Sequence, residues 1–177
     1  MKTGKDNDLG GSATRPSTRN RGMWSALGSL AGFGGLVLAA ALPGVRYSRP
    51  GIWYRSLNKP SFTPPPAVFG PVWTALYTLI AVSGWRLWRR RTVPGARPAL
   101  ALWLAQLGLN AAWSPLFFGQ HRLVLALADI VALEGTVLAC MAAARPVDGV
   151  ASALLAPYAA WVGFAGLLNG EIVRRNA

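Results

Sequence analysis

Five apolar blocks, each about 20 residues long, constrain this chain more than any other feature, because that is the helical length that crosses a bilayer. They cover residues 24–42, 67–88, 99–118, 122–144 and 149–172. Breakers lie at their joints: Pro43-Gly44, Pro94-Gly95, Gly119 and Pro146. Composition agrees, with 53% hydrophobic and only 14% charged residues, about half the usual charged share. A net charge of +12 could point to nucleic acid. However, the arginines and lysines sit at the block edges, as loop charges of membrane proteins do. Membrane lipid is the expected partner, and nucleic acid is not. The expected fold class is an all-α membrane protein with five transmembrane helices, integral and multi-pass.

Residues 1–22 are polar and rich in Gly, Ser and Thr, which reads as a disordered basic tail ahead of a transmembrane domain over 23–177. Trp24–Leu42 is long for a signal-peptide core, and Ala39-Ala40-Ala41 is a weak cleavage signal, so a retained helix is expected. Its glycines (Gly28, Gly32, Gly34, Gly35) permit close helix packing. The tail and the second and fourth loops hold eleven basic residues against seven in the alternate segments, which favours a cytoplasmic N-terminus.

Pro50–Tyr77, PGIWYRSLNKPSFTPPPAVFGPVWTALY, holds six of the thirteen prolines. Proline fixes φ and removes a donor, so no regular helix is expected before Pro66. The stretch reads as a stiff extended loop feeding the second helix, with Trp53-Tyr54 on one side of the joint and Trp73 and Tyr77 on the other. Pro115 and Pro157 fall inside later blocks and should bend their helices.

Polar residues inside the blocks carry the functional signal. Gln106 and Asn110 are one turn apart, and Trp113 and Phe117 continue the same face. Such a stripe either holds helices together by amide hydrogen bonds or forms a pocket wall with aromatics beside amides. Asp129 and Glu134 are ionisable groups in a span. They lie about 140° apart round the helix, so they are not a paired-carboxylate site. A pocket role is expected for Asp129 and helix packing for Glu134. Trp161, Ala165 and Asn169 share a face of the last helix. Trp24, Trp53 and Trp88 fit an interfacial belt. Cys140 and His121 are each the single residue of their kind, which suits neither a disulfide nor a zinc site. No nucleophile–base pair is evident, so no catalytic residue, no metal and no obligatory cofactor is expected.

The runs WYRSLNKPSFTPP, VFGPVWTALY, QLGLNAAWSPLFFG, LALADI and APYAAWVGFAGLLN resemble, in this order, the TspO/MBR family of translocator and tryptophan-rich sensory proteins. The resemblance spans Trp53 to Asn169. It implies a five-helix membrane bundle, usually dimeric, and a porphyrin pocket under the loop between the first two helices. The implied ligand-binding positions are Tyr54, Phe69, Trp73, Asn110, Trp113, Phe117, Asp129, Trp161 and Ala165, with Gln106 added from the stripe. Trp73 and Trp161 match family tryptophans tied to porphyrin binding and its light-dependent breakdown. Two departures stand out. Ala67 replaces a frequent Trp, and LLNGEIVRR lacks the Tyr of the sterol pattern, so sterol binding is not implied. The implied role is a receptor or sensor for tetrapyrroles in stress or pigment regulation, rather than an enzyme. A transporter of small amphipathic molecules and a light-dependent porphyrin degrader are the alternatives.

Overall fold

The computed structural model describes residues 18–47 and 51–176, with side chains described from Leu27 onward. Its elements are α1 (Thr18–Tyr47), α2 (Ile52–Ser56), α3 (Pro66–Arg89), α4 (Ala96–Ser114), a π-helical turn (Pro115–Gly119), α5 (Leu123–Ala144), α6 (Gly149–Ala153) and α7 (Ala156–Asn176). The described residues are helical throughout apart from turns and connections. Four stretches are long and apolar enough to cross a membrane: Leu27–Tyr47, Pro66–Arg89, Leu123–Ala144 and Gly149–Asn176. The block at 99–118 is not among them. Gln106, Asn110 and Ser114 make α4 less apolar, and all three are buried inside the protein rather than turned outward.

Several boundaries differ from the sequence expectation. The first helix already starts at Thr18, inside the stretch read as a tail, of which residues 1–17 lie outside the described residues. It also runs through the expected stop at Pro43-Gly44 to Tyr47. Proline there deprives only the Ala39 carbonyl of its donor, and four residues remain to the helix end, so one lost bond does not break the helix. A one-turn helix, α2, forms before Pro66, where none was expected. The ten-residue spacing between Pro50 and Pro60 leaves room for it, and Lys59 ends it. Its Nζ donates to the carbonyls of Tyr54 (2.8 Å), Arg55 (3.2 Å) and Leu57 (2.9 Å).

The two interior prolines coincide with interruptions of the α-helix. At Pro115 the α-helix widens into the π-turn, where Gln120 N–H reaches the Pro115 carbonyl at 2.8 Å. Near Pro157 the last block divides into α6 and α7. Asp148 caps α6, accepting from the N–H groups of Val150 and Ala151 at 3.0 Å each.

The core is built around α4, which packs against α1, α3 and α5. Trp103 is fully buried and donates its Nε1–H to the Ile80 carbonyl at 3.0 Å. Its indole meets Phe33 of α1 at 5.1 Å and lies directly over Gly84 of α3. A methyl at Gly84 would collide with that ring and come within 2.8 Å of Phe33. At the same end, Asp148 is 4% exposed and binds Arg86 at 3.1 Å and Arg90 at 3.2 Å, joining α3 to the α5–α6 turn. Burial alone would push this carboxyl up. The Ala151 N–H, the Arg86 hydrogen bond and the charges of Arg86 and Arg90 outweigh it and hold the carboxyl below the usual range.

Two outcomes follow. Gly84→Ala should destabilise the protein by about 1–3 kcal/mol through overpacking, whereas Gly108→Ala, where a Cβ meets open space, should not; thermal unfolding in detergent compares them. Asp148 has a lowered folded pKa, so its stabilisation is complete above the unfolded value of about 3.9 and disappears as pH falls through the folded one. Asp148→Asn should cost about 2 kcal/mol at neutral pH and flatten the acid limb of the stability curve; an unchanged acid limb contradicts the assignment.

Candidate functional site

A cavity of about 360 Å³ opens between the end of α1, the α1–α3 connection, α3, α4, the π-turn, α5 and α7. That size is within the range of small-molecule sites. Its wall is mostly aromatic and aliphatic. On α3, Phe69, Trp73 and Tyr77 follow one another at four-residue steps, so one helix face supplies three rings. Phe69 meets Trp161 of α7 edge-on at 5.8 Å, and Trp73 lies 5.0 Å from Tyr77 and 6.3 Å from Tyr158. On the opposite side, Trp113 stacks on Phe117 at 4.9 Å and 22°.

Eight of the ten expected positions line this cavity: Tyr54, Phe69, Trp73, Asn110, Trp113, Phe117, Trp161 and Ala165. Gln106 and Asp129 do not. Gln106 is fully buried one turn away from Asn110, with its Nε2 turned back to the Trp103 carbonyl at 2.9 Å. Asp129 is about 100° round α5 from Ile130, and Ile130 and Leu133 are the residues α5 presents to the cavity. Ala67 is exposed and does not line the cavity.

Asn110 does more than the stripe suggested. Its Oδ1 accepts from the Tyr77 hydroxyl and its Nδ2 donates to the Tyr158 hydroxyl, each at 3.1 Å. One amide thus ties α3, α4 and α7 together behind the cavity. The helix-joining and wall-forming alternatives both hold for this residue. Two polar atoms of wall residues, Trp113 Nε1 and Asn169 Oδ1, are buried without a partner among the described residues.

The connection between α1 and α3 covers one end. Tyr54 packs edge-on against Phe117 at 6.3 Å and Phe118 at 5.3 Å. Burial pushes its phenol pKa upward, so it remains a neutral donor at physiological pH. Trp53, one residue earlier, does not line the cavity; it packs edge-on against the wall residue Phe117 at 5.9 Å and stacks on His121 at 3.9 Å and 19°. His121, in the short joint between the π-turn and α5, has φ +57°, a left-handed conformation. Asn58 and Asn176 close the other side. Asn58 N–H donates to Asn176 Oδ1 at 2.9 Å, and Asn176 Nδ2 donates to the Asn58 carbonyl at 3.1 Å.

Sequence reasoning missed Ser114 as a wall residue and noted Tyr77 and Asn169 by their helical spacing without choosing them as binding positions, although each stands four residues beyond an expected one. It also missed the wall from α1, made of Ala41, Gly44 and Val45, whose small apolar side chains carry no chemical signal. The latch residues Asn58, Asn176 and His121 were unreadable because their partners are remote in sequence.

The model of the TspO/MBR family matches residues 29–175. The translocator protein of Homo sapiens is 39% identical over 127 residues, covering 70% of this chain and 75% of that protein. The tryptophan-rich sensory protein of Cereibacter sphaeroides is 39% identical over 128 residues, covering 72% and 79%. The tryptophan-rich protein TspO of Archaeoglobus fulgidus is 41% identical over 125 residues, covering 71% and 80%.

The paired Asn58–Asn176 bonds yield a direct test of the cover. Asn176→Ala should expose the Asn58 amide to exchange, raising its rate at least tenfold if the two bonds together contribute about 1.4 kcal/mol. Unchanged protection of that amide would mean that other contacts hold the cover.

Proposed function

The chain belongs to the TspO/MBR family and is an integral multi-pass membrane protein, and on that premise we propose that it is a receptor or sensor that binds porphyrins and similar flat apolar ligands in the cavity under the α1–α3 connection. The observation that carries this reading is the wall itself. Rings from the cover, α3, the π-turn and α7 surround one space, with few polar atoms facing it. A tetrapyrrole is a large flat aromatic, and indoles and phenyl rings offer it offset or edge-on stacking worth about 0.5–1.5 kcal/mol per ring pair beyond area burial. Trp73 and Trp161 are the rings chosen for that role. Asn110 and its two tyrosines would hold the wall rigid, so that little ordering cost falls on binding.

In this reading α4 is the fifth crossing, with its polar residues Gln106, Asn110 and Ser114 turned inward and a face that includes Leu104 left exposed, and the protein works as a homodimer. The ligand is cargo or signal rather than a resident cofactor. Any porphyrin breakdown would draw on light, oxygen and indole chemistry, since the cavity wall contains no acid–base pair or metal cluster among the described residues. The relatives' names, translocator and sensory protein, agree with ligand handling at a membrane. Protoporphyrin titration followed by tryptophan fluorescence tests the reading. Saturable quenching is expected, with affinity about tenfold weaker in Trp73→Ala or Trp161→Ala. Absence of saturation, or identical curves for both variants and wild type, rules it out.

A further inference from the structure

The end of the protein opposite the cover concentrates positive charge. Arg86, Arg89, Arg90 and Arg91 end α3, Arg97 begins α4, and Arg145 follows α5. These elements meet there, because Leu87, Ala96, Ala99, Ala144, Val147 and Ala151 pack as one buried cluster. Six guanidinium groups therefore surround a corner whose described acidic group is Asp148. That carboxylate is consumed by Arg86 and Arg90, and Arg90 also donates to the Val147 carbonyl at 2.9 Å. Arg89 lies 5.0 Å over the Trp85 ring and Arg91 4.8 Å over Trp88. Trp88 is 42% exposed at the end of a span, the depth at which indoles meet lipid headgroups. Arg97 and Arg145 are exposed and have no acidic partner among the described residues.

Each of these two arginines has an exposed leucine seven residues away on its own helix, toward the membrane centre: Leu104 below Arg97 (52% exposed) and Leu138 below Arg145 (50%). Seven residues are two turns, so charge and leucine share a face about 10 Å apart. An unpaired cation at headgroup depth above an apolar strip matches an anionic phosphodiester joined to acyl chains. At the cover end Lys59 is occupied by three carbonyls and Arg174 and Arg175 share Glu171, while Arg46, Arg55 and Arg122 are exposed there without an acidic partner among the described residues.

We propose that the α3–α4 corner binds the headgroup of an anionic glycerophospholipid, with Arg97 and Arg145 on the phosphate and the acyl chains along the Leu104 and Leu138 faces. The site is separate from the cavity and does not depend on what the cavity binds. The test uses the full chain in detergent, mixed with equimolar phosphatidylglycerol and phosphatidylcholine and observed by native mass spectrometry. Wild type should retain phosphatidylglycerol preferentially. Arg97→Gln/Arg145→Gln should weaken that retention about thirtyfold, taking about 1 kcal/mol for each basic residue near the surface. Arg174→Gln/Arg175→Gln removes the same charge at the other end and should leave it unchanged. Circular dichroism verifies that both variants remain helical, and the single variants Arg97→Gln and Arg145→Gln replace the double if it does not fold. Equal retention of both lipids overturns the proposal, as does equal loss in both variants, which would mean bulk charge. Competition by soluble glycerophosphoglycerol or inorganic phosphate at millimolar concentration also overturns it, because the site would then take free phosphate.

Discussion

A peptide group in hydrocarbon has no water to bond, and leaving it unpaired costs several kcal/mol. This constraint shapes every irregular point in the chain. Pro115 lacks an N–H, and the helix answers by widening, so that Gln120 and Arg122 N–H groups reach the carbonyls of Pro115 and Leu116. Pro157 also lacks one, and the helix divides ahead of it. One carbonyl at the break is then covered by a neighbour: Ser83 of α3 donates to the Ala151 carbonyl at 2.8 Å. Two consecutive rings of the Pro115–Gly119 turn, Phe117 and Phe118, line the cavity.

The second organising contact is the Tyr77–Asn110–Tyr158 chain. Tertiary hydrogen bonds between spanning helices are modest individually, about 0.6 kcal/mol on average. Their geometry matters more here than their strength. The amide fixes the rotamers of two tyrosines, and these in turn support Trp73 from both sides. A rigid wall of rings results from one polar residue placed where three helices meet.

The two ends of the protein both carry unpaired arginines but anchor their carboxylates differently. At the cover end, Lys59 closes α2 and Glu171 takes two arginines. At the opposite end, Asp148 serves at once as helix cap and as anchor for Arg86 and Arg90, and Arg89 and Arg91 lie over Trp85 and Trp88.

The sequence alone determined that the chain is helical and membrane-spanning, because apolar blocks of bilayer length separated by basic joints admit few other folds. The resemblance to the TspO/MBR family placed the eight wall residues, while helical spacing alone offered Asn110, Trp113 and Phe117 on one face and Trp161 and Ala165 on another, since a helix face is a local property. Three matters were decided only by tertiary structure. Gln106 and Asp129 fall behind the wall because helix rotation depends on how neighbours pack. α1 continues through Pro43, and α2 forms between prolines, because a single lost bond or a single turn is settled by its surroundings. The latches Asn58–Asn176 and Trp53–His121 join residues up to 118 positions apart, and no local pattern encodes a contact whose partner comes from the far end of the chain.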